Sequence, residues 1–263
     1  MNLAGRRVLV TGATGGLGQA IARAFAAEGA ELWLTGRRAD VLEPLATEVG
    51  GSAIVCDLAL PGDVERLLSE CSNAEVLVAN AALPASGEVG SFSVEEIDRA
   101  LAVNLRAPIV LARALSAGMA ARGHGHIVFV SSLSGKAASP RGSIYAATKY
   151  GLRGFALGLR EDLRDSGVGV STVFPGFIKG AGMFHDSGAK LPAYVALRTP
   201  EDVAAAVLKA IDRNRSEIDV APLALRLGTA LAGIAPELSG RVQRRLGAVD
   251  IAEAMTEGQR DKR

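Results

Sequence analysis

The chain has 263 residues, enough for one large α/β domain whose core needs no disulfide or metal support. Its 29 basic and 28 acidic side chains leave a formal net charge of +1, which excludes the strong global field of a nucleic-acid-binding protein. Two cysteines without metal-like spacing, Cys56 and Cys71, and an N-terminus without a long apolar core point to a reducing, cytoplasmic setting.

Strand-like apolar runs are predicted at 8–11, 31–35, 53–56, 76–79, 126–131, 168–174 and 218–220, with helical spacing between them. The alternation predicts a doubly wound parallel sheet of about seven strands with helices on both faces, an α/β fold of Rossmann type in a single domain. Directly after the first run, Thr11-Gly12-Ala13-Thr14-Gly15-Gly16-Leu17-Gly18 opens a helix. Gly12 permits the sharp turn, Gly16 lets backbone approach a pyrophosphate, and Gly18 brings helix close to strand. The helix N-terminus then offers unpaired N–H groups to phosphates. A glycine-rich βα turn that binds nothing is the bland alternative.

The second run ends Leu34-Thr35-Gly36-Arg37-Arg38. An NAD site places an acid there for the ribose hydroxyls; here Gly36 takes that place and Arg37 follows, which favours NADP(H) over NAD(H). Asp57, after the third run, has two readings: an acceptor for the adenine amino group, or a turn or helix cap. Ser93-Val94-Glu95-Glu96 has the form of a capping box, and Thr199-Pro200-Glu201-Asp202 that of a second helix start.

Tyr145 and Lys149, four residues apart, share one face of a helix. A phenol of reference pKa about 10 is a poor base at neutral pH, and a neighbouring ammonium lowers it toward the working range. The segment 175–199 has no clear periodicity and is read as a substrate loop, with residues 1–220 forming the catalytic domain. Residues 221–263 extend the same domain as helix with a mobile tail. Within that extension 221–235 is apolar on nearly every face; it is expected to cover the pocket mouth or a partner subunit. Shallow membrane association helped by Arg241, Arg244 and Arg245 is its alternative. No run reaches the roughly 20 apolar residues of a membrane span. His124, His126 and His185 form no metal cluster, so no metal is expected, and Cys56 is read as packed core.

Gly12, Gly16 and Gly18, with Asn80-Ala81-Ala82, Asn104, Ser131-Ser132, Tyr145 with Lys149, and Pro175-Gly176, in this order, resemble the short-chain dehydrogenase/reductase family in its compact form. The resemblance runs from about residue 3 to 220. It implies an oxidoreductase that moves a hydride between a nicotinamide and a carbonyl or secondary alcohol. Tyr145 would be general acid/base, Lys149 would hold the nicotinamide ribose and depress the Tyr145 pKa, and Ser132 would hydrogen-bond the substrate oxygen. Ser131 and Ser134 are the alternatives to Ser132. Asn104 would steady a water relay to Lys149. Cofactor contacts are expected from Gly12, Thr14, Gly16, Leu17, Gly18, Arg37, Asp57, Leu58, Asn80, Tyr145, Lys149, Pro175, Gly176 and Ile178. Two departures from the family pattern stand out: Ala82 replaces a usual glycine, and Phe177-Ile178-Lys179-Gly180 lacks the threonine that contacts the carboxamide, leaving that job to Ile178 backbone. The apolar pocket pieces suggest a hydrophobic carbonyl substrate. A homodimer or homotetramer is expected, built on Ala107, Leu111, Leu152, Phe155 and Leu159. A non-catalytic NADP(H)-binding sensor of the same fold is the rival reading.

Overall fold

A strand without polar side chains is stable only with both faces covered, and the run Val76–Ala79 is buried along its whole length. The computed structural model describes residues 1–189, 191, 195–245 and 247–259. In chain order it forms β1 (Arg7–Thr11), α1 (Gly16–Ala27), β2 (Glu31–Gly36), α2 (Ala39–Val49), β3 (Ser52–Val55), α3 (Pro61–Glu70) and β4 (Val76–Ala79). There follow α4 (Val94–Leu101), a π-helical turn (Ala102–Arg106), α5 (Ala107–Arg122), β5 (Gly125–Val130) and α6 (Ser143–Asp162). The chain continues through β6 (Val168–Pro175), α7 (Gly182–Asp186), α8 (Pro200–Asp212), β7 (Glu217–Val220), α9 (Leu223–Ile234), α10 (Pro236–Arg245) and α11 (Ala248–Gln259). Each predicted strand lies within about a residue of an observed one.

All pairings are parallel, in the order β3-β2-β1-β4-β5-β6-β7. The chain winds outward from β1 to β3, crosses back, and winds the other way from β4. That reversal opens a crevice at the carboxyl ends of β1 and β4, where ligands of such sheets bind. Alternation along the strands feeds two cores. Val8 and Val10 pack with Ile21, Phe25, Val203 and Val207 on one face. Leu9, Leu77, Ile127 and Phe129 pack with Val64, Leu67, Leu111 and Leu152 on the other.

Local signals set the helix starts. The side chains of Ser93 and Glu96 each accept from the other's backbone N–H in a capping box that opens α4, and Thr199 with Asp202 does the same for α8 behind Pro200 at the first turn. Gly50 and Gly123, both at positive φ, end α2 and α5.

Three expectations change. The segment 175–199 is less irregular than its sequence suggests: it holds α7, and a bridge between Ile178 and Arg198 ties its two ends. Residues 190 and 192–194 of that loop, and 260–263 of the expected mobile tail, lie outside the described residues. The helical run Val94–Arg122 is long and apolar enough to cross a bilayer by length and composition, with mean hydropathy 1.3. It lies instead along the sheet, with Leu111, Leu115 and Met119 buried in the core. Finally, Ala107, Leu111 and Leu152 are buried within the chain, while Phe155 and Leu159 pack against the same core. The first three are therefore committed to the chain's own core, whereas Phe155 and Leu159 keep part of their surface exposed.

Candidate active site

The glycine-rich turn sits at the carboxyl end of β1. Gly12 has φ 66°, a conformation that L side chains rarely adopt, and a Cβ there would come within 2.7 Å of the Ala81 Cα. A Cβ on Gly18 would overlap the Gly12 carbonyl, so this glycine is what lets α1 start against the strand. A Cβ on Gly16 would overlap the Ala181 side chain, so this glycine also lets the loop before α7 rest on the turn. Asn80 braces the same turn, its Nδ2 donating to the carbonyls of Thr11 at 3.0 Å and Gly12 at 3.2 Å. The first turn of α1 has no side-chain cap and no acid, so its N-terminal N–H groups are left to the crevice.

At the end of β2, a side chain on Gly36 would meet the Thr14 methyl 2.7 Å from its Cβ. A side chain where an NAD site would carry an acid would therefore have to displace the Thr14 side chain. The two arginines then separate. Arg38 donates from Nη2 to the Thr14 carbonyl at 2.6 Å and pins the turn. Arg37 is exposed on the cavity wall and makes no hydrogen bond among the described residues. Asp57 is engaged on both oxygens: Oδ1 accepts from the Ala59 N–H at 3.0 Å, and Oδ2 from Arg99 at 2.7 Å. Burial works against its charge, but these hydrogen bonds outweigh it and hold the carboxyl below its usual range. Of the two readings of Asp57, the turn cap is the one with a geometry, although the residue also borders the cavity beside Leu58.

Tyr145 lies in the first turns of α6, half-buried on the cavity wall. Burial pushes its phenol up to about 12, against a hydrogen bond with the Ser132 hydroxyl that pulls it down. Lys149, one turn on, is fully buried, and burial lowers its ammonium to about 8. Its Nζ donates to the Val130 carbonyl at 3.1 Å and stands 5.6 Å from the centre of the Tyr145 ring. The serines sort themselves by partner. The Ser131 hydroxyl is buried and donates to the Lys149 carbonyl at 3.2 Å, whereas the Ser132 hydroxyl reaches Tyr145 and accepts from the Ser134 N–H at 3.1 Å.

Asn104 does not line the cavity. Its Oδ1 accepts from the Leu83 N–H at 2.7 Å and its Nδ2 donates to the Leu83 carbonyl at 2.9 Å, with a long contact to Thr148 at 3.5 Å. It is buried within the π-helical turn Ala102–Arg106. Here it joins the segment after β4 to the helix of the Tyr–Lys pair.

Beyond Tyr145 the chamber continues under a cover made by α7 and the last three helices. The cavity, about 1430 Å³, is bordered by Pro175, Gly176 and Ile178, by α7, and by Leu225, Leu231, Val242, Ile251 and Met255 of the last three helices. In the bridge to Arg198, the hydrogen bonds run from Lys179 and to Phe177. The Ile178 N–H and carbonyl thus face away from Arg198, without a hydrogen-bond partner among the described residues. Helix α11 clamps α7: Gly258 lies against the Ser187 carbonyl, and Gln259 donates to the Met183 carbonyl at 2.9 Å. On the other rim Arg141 pairs with Glu253 at 2.6 Å and with Glu88 at 2.9 Å.

The remaining sequence candidates sit elsewhere. His126 is buried against the Ser171 hydroxyl at 2.8 Å, and burial drops its pKa to about 3. His124 shares Glu75 with Arg6. His185 borders the cavity beside Asp186. Cys56 is core, its thiol pushed up to about 11 by burial.

Known proteins resemble this chain in sequence and in fold. The profile of the family described as short chain dehydrogenase matches residues 6–192. The ketoacyl reductase HetN of Nostoc sp. is 33% identical, over 97% of this chain and 94% of its own. The NADP-dependent 3-hydroxy acid dehydrogenase YdfG of Shigella flexneri is 36% identical, over 76% of this chain and 86% of its own. Among solved structures, a short-chain dehydrogenase from Sphingobium yanoikuyae in complex with NADPH superposes with TM-score 0.77 at 30% identity, covering 89% of this chain and 94% of that one.

Proposed function

The chain belongs to the short-chain dehydrogenase family, and on that premise we propose that it is an NADP(H)-dependent oxidoreductase acting on an apolar ketone or secondary alcohol, with Tyr145 as general acid/base. The observation that carries this reading is one continuous cavity with the glycine turn and Arg37 at one end, Ser132, Tyr145 and Lys149 in the middle, and apolar side chains of the last three helices at the other. The residues fit the dinucleotide. The α1 N-terminus and glycine turn would hold the pyrophosphate, Arg37 the 2′-phosphate, Lys149 a ribose hydroxyl, and the Ile178 backbone the carboxamide. Bound NADPH supplies the hydride.

Ser132 holds the substrate oxygen beside Tyr145, and the Tyr145 hydroxyl delivers the proton to it. A phenol pushed up to about 12 is protonated at neutral pH, which suits the reductive direction. Lys149, lowered to about 8, still carries most of its charge at pH 7 and stabilises the phenolate as it forms. The ketoacyl and 3-hydroxy acid names of the two relatives are in keeping with a carbonyl on an acyl chain. The test is NADPH oxidation against ketones of increasing chain length. kcat/KM rising with chain length supports the reading; activity confined to short polar ketones sinks the apolar part, and no oxidation of any carbonyl sinks the whole.

A further inference from the structure

Helix α9 and the helix after it leave an apolar face that no described residue covers. Leu223, Leu227, Leu231 and Ile234 are spaced four, four and three residues apart and so share one side of α9. They are 66%, 61%, 39% and 85% exposed, and α9 contributes no buried residue to the core. Leu238 and Val242 extend the patch along α10. An exposed stripe of this size on a folded domain marks an interaction site.

The charges around the patch indicate what covers it. Between Leu223 and Arg245 there are four arginines, Arg226, Arg241, Arg244 and Arg245, and one acid, Glu237. On α10, Arg241 and Arg245 fall beside Leu238 and Val242 by helical spacing. Arg241 meets Glu237 only at 3.9 Å with both side chains exposed, and Arg244 and Arg245 have no ion pair among the described residues. A second copy seated on this face by a two-fold axis would set arginines against arginines. A surface of negative charge over an apolar interior matches both features. The patch also runs into the cavity, because Leu231 and Val242 line the chamber and are exposed at its rim.

We propose that the outer face of α9 and α10 docks the protein on an anionic lipid bilayer, lying in the interface with the cavity mouth turned toward the lipid. The docking stands independently of the catalytic reading. The apolar residues insert at the level of the acyl chains and the arginines lie among the headgroups. The test is co-sedimentation of the full chain with vesicles of phosphatidylcholine alone, or mixed with phosphatidylglycerol, at low and high salt. Two variants are compared with the native protein: Leu227→Glu with Ile234→Glu, and Arg241→Ala with Arg244→Ala and Arg245→Ala. Binding should require phosphatidylglycerol, weaken with salt and fall at least about tenfold in each variant. NADPH binding should be unchanged in both, since none of the five residues borders the cavity. Should the leucine variant fail to fold, the arginine variant decides alone. Absence of binding to mixed vesicles, or binding that survives both sets of changes, overturns the proposal. So does an oligomer mass by light scattering that drops to the monomer in the leucine variant while vesicle binding is absent, which would assign the face to a second copy.

Discussion

Helix α1 buries Gly18, Ile21, Ala22 and Phe25 on the sheet, whereas α9, reading Leu-Ala-Leu-Arg-Leu from its start, buries no residue that deeply. The two ends of one cavity are thus built by opposite means. At the glycine turn, backbone meets backbone at distances that tolerate no side chain, and Asn80 and Arg38 hydrogen-bond the turn in place. At the cover, backbone approach is confined to Gly258 on the Ser187 carbonyl; otherwise apolar side chains line the chamber, with Gln259 bonded to Met183 and Arg141 paired with Glu253 among the described residues. The first region is built for one ligand held rigidly, the second for adaptable apolar contact.

The sharpest way to break this contrast lies where the two regions meet. Tyr145→Phe should lower kcat by roughly 10²–10⁴-fold while leaving the NADPH Kd nearly unchanged, because only the proton donor is lost. Single-turnover kinetics beside a fluorescence titration check it, and near-native turnover would remove Tyr145 from the mechanism. Arg37→Ala should cost NADPH about tenfold in affinity and leave NADH alone, a difference of about 1.4 kcal/mol. Equal losses for both cofactors would mean that Arg37 does not read the 2′-phosphate.

Gly258→Ala probes the cover. A Cβ there would overlap the Ser187 carbonyl, and backbone cannot swing aside as a side chain can, so α11 must shift off α7. KM for a long ketone should rise by about threefold or more with NADPH affinity intact. Unchanged KM would detach the cover from substrate binding. The smallest effect concerns the scaffold below both regions. Burial alone would raise Glu75, but hydrogen bonds from Arg6, His124 and the Arg7 N–H hold it down at about 2, against an ordinary value of 4.5. A depressed carboxylate stabilises the fold above the unfolded pKa, and that contribution is lost as pH falls from about 4.5 toward 2. Thermal melts should therefore show Tm falling through that window, less steeply in Glu75→Gln.

Much of this was legible because the signals are local. Strand runs, the spacing of Gly12, Gly16 and Gly18, and the Tyr145–Lys149 pair depend on periodicity and on neighbours a few residues apart. Other roles needed partners far along the chain. The bonds by which the Asn104 amide holds the backbone of Leu83, and the π-helical turn that carries it, have no pattern in the sequence to announce them. The serine pair could not be divided until α6 was in place to take the Ser131 hydroxyl.

The sequence by itself determined the parallel sheet, its carboxyl-end crevice and the residue types that meet there, since backbone preference and hydrophobic period act over one helical turn or one strand. Tertiary structure alone decided that Thr14 packs against Gly36, that Arg38 is hydrogen-bonded to the turn while Arg37 has no hydrogen bond among the described residues, and which side of α9 faces the cavity. A helix apolar on nearly every side has no preferred face until other elements, packing from distant parts of the chain, cover one side and leave the other to solvent.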